Sequence, residues 1–221
     1  MKETIINSTR IVNANLLLVI MAGMSSIRIY SGVMTIISII GLLVSFLIGI
    51  VVYGRIVARI KGESPSPVKI LIKDHWLNYM LVGIVLAIPT LLFSQLPMSD
   101  SLSVESMILT KEGLNSIVHM VTIYVLPIVF IKKENLVAIM SGVLLLFQNL
   151  KGSLHVIALV ALISFVNITL SMLLFKMILP GSNVYSLIPI MVLVNIVFTY
   201  LSFMIFAAAT VNLIKPNANA Y

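Results

Sequence analysis

Gly32-Val-Met-Thr-Ile-Ile-Ser-Ile-Ile-Gly-Leu-Leu-Val-Ser-Phe-Leu-Ile-Gly-Ile-Val-Val-Tyr-Gly54 runs 23 residues without a charge, and Arg55, Arg59 and Lys61 follow it at once. As a helix rising ~1.5 Å per residue it covers ~35 Å, enough to cross a ~30 Å hydrocarbon layer. Working outward, five further stretches have the same character: 11–27, 76–96, 115–131, 154–179 and 185–214. The first and fourth are near the lower limit for a span, and the last two are long enough to tilt. Of 221 residues, 60% are hydrophobic and only 10% charged. That balance excludes a cytosolic enzyme, a disordered chain and a secreted disulfide scaffold. The expectation is a single all-α domain over residues 1–221, a polytopic transmembrane bundle of six spans.

The cations give an orientation. Lys2 and Arg10 precede the first span, and Arg55, Arg59, Lys61, Lys69 and Lys73 lie between the second and third. Lys132, Lys133 and Lys151 follow the fourth, and Lys215 follows the sixth. With six spans these eleven share one side, leaving Arg28, Lys111 and Lys176 to the other. The positive-inside bias therefore puts both termini in the cytoplasm, and a prokaryotic inner membrane is the expected location. It also accounts for the net charge of +7 without nucleic acid. The bilayer is the expected partner. The absence of cysteine removes disulfides, thiolate metal sites and cysteine nucleophiles together.

Two apolar segments read as helices lying at the cytoplasmic interface. Residues 136–150 carry a narrow polar stripe through Ala138, Ser141, Gly142, Gln148 and Asn149, and counting them as a span would separate Lys151 from Lys215. Residues 66–75 open with Ser66-Pro67, a helix start signal, and set Val68, Leu71, Ile72 and His75 against Lys69, Lys73 and Asp74. The chain thus reads twice as span, interfacial helix, span. Six spans with two such helices also suit the permease subunit of an ABC-type transporter, whose cytoplasmic ATPase would be a partner. No phosphate-binding glycine loop occurs in this chain.

Tyr53-Gly-Arg-Ile-Val-Ala-Arg59, Gly62-Glu-Ser-Pro-Ser-Pro67 and Asn135-Leu-Val-Ala-Ile-Met-Ser-Gly142 carry a resemblance. In architecture and these positions the chain resembles poorly characterised six-span bacterial membrane proteins, and the membrane domain fused to some glycerophosphodiester phosphodiesterases. The resemblance implies a helical bundle and no catalytic residues.

For chemistry the sequence offers little, and a non-enzymatic membrane protein is expected. It would bind or move a small or lipid-like solute, or serve as a membrane subunit of a larger complex. All seven acids, Glu3, Glu63, Asp74, Asp100, Glu105, Glu112 and Glu134, read as lying in loops or termini, which argues against a midplane carboxylate of the kind proton-coupled transporters use. No metal motif occurs. His75 and His155 head corresponding spans of the repeat and could be axial ligands of a b-type haem, making an electron-transfer subunit the second alternative. His119 reads as a structural or pore-facing group. Asn167 and Asn195 lie near mid-membrane, where each needs a partner, so they line a solute path or bond between helices. Their depths along antiparallel spans differ by ~9 Å at ~1.5 Å per residue, so at least one should meet another helix. Gly41, Ser45 and Gly49 form a small-residue row for close helix packing.

Overall fold

The computed structural model describes residues 2–25, 33–95, 104–178 and 184–214. Every secondary-structure element among them is a helix. In chain order they are α1 (Lys2–Asn13), α2 (Leu16–Ser25), α3 (Val33–Lys61), α4 (Val68–Gln95), α5 (Val104–Val121), α6 (Val125–Lys132), α7 (Val137–Gln148), α8 (Leu150–Ile178) and α9 (Val184–Ile214). Four of them, α3, α4, α8 and α9, are long and apolar enough to cross a membrane. The pairs α1–α2 and α5–α6 qualify when each is taken as one broken span, so the described chain has four to six candidate spans. Arg28, Asp100, Pro180, Gly181 and Lys215 lie outside the described residues.

Three expectations need correction. The first span, expected to be continuous over 11–27, is broken at Ala14–Asn15, where α1 and α2 meet at 80°. Asparagine competes for backbone hydrogen bonds, and here the Asn15 amide returns to the Val12 carbonyl at 2.8 Å while the Asn13 Oδ1 accepts from the Tyr200 hydroxyl at 2.7 Å. The fourth span, expected over 115–131, begins earlier and bends by 43° between α5 and α6. Pro127 explains the break: it has no N–H to offer the Ile123 carbonyl, and its ring crowds that turn. The Val125 amide accordingly reaches only to Thr122, at 3.0 Å. Residues 68–75 are the first two turns of α4 and not a separate interfacial helix, because nothing between His75 and Trp76 interrupts the backbone ladder. Ser66-Pro67 does start the helix, with the Pro67 carbonyl accepting from Ile70 and Leu71 at 3.0 and 3.1 Å.

The second apolar segment forms α7, 12 residues long and too short to cross at ~1.5 Å per residue. It folds back along α6 after a turn in which Lys133 takes a left-handed conformation, φ 58°. Gly142 permits the approach, since a Cβ there would lie 2.9 Å from the Val125 nitrogen. The opposite face, Val137, Met140, Leu144 and Phe147, is exposed at helical spacing. Beside lipid that face needs no protein cover.

The centre of the bundle is aromatic. Tyr53 on α3 packs against Phe203 and Phe206 of α9 and Phe130 of α6, with ring centroids 4.8, 4.4 and 5.3 Å away. Tyr79 of α4 closes the cluster against Tyr53 and Phe46. Around it the small residues Ala207, Ala208 and Ala209 are buried and let α9 sit close to its neighbours. Where lipid tails are as apolar as the core, such packing and the interhelical hydrogen bonds hold the helices together.

Candidate functional site

Above the aromatic cluster the helices part to leave a half-open cavity of about 600 Å³. Its wall on α5 is a polar stripe at helical spacing, Glu112, Asn115, Ser116 and His119, continued by Thr122 in the α5–α6 break. Ser164 and Asn167 face it from α8, and Asn195 and Ser202 from α9. Tyr53, Phe198 and Phe206 supply rings, and Leu86, Val160, Ile163 and Ile205 apolar patches. The polarity of these faces is inverted relative to the outside of the same helices, where Ile117, Phe165 and Leu193 are exposed. Polar residues turned inward and apolar residues outward are the arrangement expected of a helix bundle set in a bilayer.

The expected site residues fall in three places. Asn167 Nδ2 donates to Glu112 Oε2 at 3.3 Å, linking α8 to α5, and Asn195 Nδ2 donates to the Gly23 carbonyl, linking α9 to α2. Both asparagines also line the cavity, as does His119. His119 sits one turn before the α5–α6 bend, hence midway along the broken pair and not at the outer end of a span. The small-residue row divides between two neighbours. Gly41 lies against the Ser25 carbonyl and Ser45 Oγ donates to the Ala22 carbonyl at 3.2 Å, both on α2, whereas Gly49 faces the Tyr79 ring on α4.

His75 and His155 have separate surroundings. The His75 ring is buried and lies flat on Phe130, centroids 4.7 Å apart. His155 Nε2 is 3.4 Å from Asn212 Nδ2 on α9. Asn212 also reaches the Tyr124 hydroxyl and the Gly152 carbonyl, and Tyr124 and Ser153 hydroxyls pair at 2.7 Å. This buried knot ties the α5–α6 bend to the start of α8 and the end of α9. Neither imidazole lines the cavity.

Glu112 corrects the reading of the acids. It belongs to a helix, inside the pair Leu109–Val121 and Val125–Lys132 that is apolar enough to cross a membrane. Asp74 likewise lies within α4, paired with Lys133 Nζ at 2.6 Å. Glu105, Lys111 and Glu112 make the stretch before 115 resemble a loop, so the expected span omits Glu112, although Glu112 continues the stripe of Asn115, Ser116 and His119. The recurrence of the stripe residues at three- and four-residue intervals is the signal that distinguishes a one-sided polar helix from a loop.

No family model, curated protein or solved structure matches the chain.

Proposed function

We propose that the protein is a multi-pass protein of a prokaryotic inner membrane, with six spans and both ends in the cytoplasm, that holds a small polar solute in the α5–α8–α9 cavity. It binds or passes that solute without catalysing a reaction, alone or as the membrane subunit of a larger complex. The observation that carries this reading is the inward polar stripe of α5, met by Asn167 and Asn195, around a space of about 600 Å³. Cavities of ~300–1,000 Å³ with a few convergent polar groups are the usual size for small-molecule sites. Side chains serving only as interhelical bonds would be packed against one another, and would leave no such space between them.

The cysteine-free chain gives a clean test. A thiol introduced by Ser164→Cys, in protein reconstituted into liposomes, should react with the small neutral reagent methyl methanethiosulfonate ~10-fold or more faster than one introduced by Val82→Cys, since thiol reactivity follows access. Val82 is fully buried. Equal, slow modification at the two positions would show a closed wall at Ser164 and remove the reading.

A further inference from the structure

Resting on the reading of the cavity as a solute site, we propose that its solute is a monovalent organic cation with an apolar body, Glu112 being the counter-charge and the aromatic rings of the lining taking the body. Among the described residues that line the cavity, Glu112 is the only carboxylic acid, and none is a lysine or arginine. Its neighbour Lys111 is exposed and does not line the space. The ion pairs among the described residues, Lys132–Glu134 and Lys133–Asp74, involve other carboxylates. Asn167 gives Glu112 a hydrogen bond at 3.3 Å, which orients the carboxylate but supplies no counter-charge. His119 is seven residues further along α5, ~10 Å on the helix axis at ~1.5 Å per residue, beyond ion-pair reach.

A carboxylate at membrane depth is costly unless something neutralises it, and such residues mark binding sites and ion paths. The remaining lining decides between solutes. An anion would be repelled by Glu112. A sugar would use the hydroxyls and amides of the wall and gain nothing from a full charge. A divalent metal would need more ligands, and no group of three or more His, Asp or Glu residues that could hold one occurs among the described residues. A quaternary or protonated amine with an apolar body uses every part: the carboxylate for its charge, and the rings of Tyr53, Phe198 and Phe206 with the aliphatic patches for its apolar body.

The experiment places a thiol on the stripe with Ser116→Cys, one turn from Glu112, in the reconstituted full chain. It is modified in turn by methyl methanethiosulfonate, its trimethylammonium-ethyl (cationic) analogue and its sulfonatoethyl (anionic) analogue, each rate being divided by that for a free thiol in solution. The expected result is a cation-over-anion preference of ~10-fold or more, the scale on which a one-signed cleft concentrates counter-ions. The preference should fall to about one when Glu112→Gln is added, a change that keeps an oxygen for Asn167. Benzyltrimethylammonium should slow the neutral reagent, and neopentylbenzene, its uncharged carbon analogue, should not. If the neutral reagent fails to react, the cavity reading itself is wrong. If it reacts but Ser116→Cys alone shows no cation preference, or the preference survives Glu112→Gln, or both probes protect equally, the cavity stands and the cationic solute is overturned.

Discussion

Gly23→Val should prevent the protein from accumulating in the membrane. A Cβ at Gly23 would stand 2.7 Å from the Ile196 Cα and 3.2 Å from the Ile196 nitrogen, backbone atoms that no rotamer change can move aside. Helix α2 is held between α3 and α9, so relief must come from shifting a whole helix. That shift would also pull the Gly23 carbonyl away from Asn195 and the Ala22 carbonyl away from Ser45. Overpacking costs ~1–3 kcal/mol even where side chains can yield, and each interhelical hydrogen bond lost adds ~0.6–1.7 kcal/mol. Val exceeds Ala in this, so Gly23→Ala should give a protein that folds but unfolds at lower temperature. Gly83→Ala is the matched control: nothing lies within 4 Å of a Cβ there, and the change should be neutral or stabilise by up to ~1 kcal/mol through helix propensity. Accumulation of Gly23→Val at the level of Gly83→Ala would show that α2 and α9 do not meet at this point.

The second large effect is expected at Tyr53. Its ring touches four others, from α4, α6 and α9, and forms part of the cavity wall. In a soluble protein, replacing a buried aromatic by alanine costs ~3–5 kcal/mol, as lost transfer energy plus the void left behind. In a bilayer the unfolded helices remain in hydrocarbon, so the transfer part largely cancels and the void and lost ring contacts remain. Tyr53→Ala should therefore destabilise by ~2–4 kcal/mol in a membrane-mimetic unfolding assay. Tyr53→Phe keeps the ring contacts and should cost no more than ~1.5 kcal/mol. Equal losses for the two variants would mean that the hydroxyl, and not the packing, holds α3 in place.

Particular residues show what the sequence made legible. The apolar runs at 32–54, 154–179 and 185–214 reappear as α3, α8 and α9 because nothing but a helix satisfies so many backbone groups in so apolar a stretch. Boundaries failed where polarity and apolarity share one helix. Lys69, Lys73 and Asp74 made the first turns of α4 read as a separate surface helix, and Glu105, Lys111 and Glu112 made the part of α5 before 115 read as a loop. Hydropathy averages over all faces of a helix, whereas the membrane and the cavity each see one. The breaks at Asn15 and Pro127 had residues to announce them, yet an angle of 80° or 43° depends on what the broken ends meet. At the first break that includes Tyr200 from α9, which bonds Asn13, and at the second the knot of Tyr124, Ser153 and Asn212. Those partners are far away in sequence. The same holds for Asn167: its need for a partner follows from its depth, but that the partner is Glu112 follows only from how α5 and α8 pack.

A solute cavity in the bundle requires that one face of α5 meet water at membrane depth. A nitroxide scan along residues 109–121 in liposomes measures this directly, comparing collision with a water-soluble nickel chelate and with oxygen, which concentrates in lipid. The chelate should dominate at 112, 115, 116 and 119 and oxygen at Ile117, which is exposed on the outer face, giving a wave of helical period. Oxygen-dominated collision at all of these positions, with no such wave, would contradict a polar cavity inside the bundle.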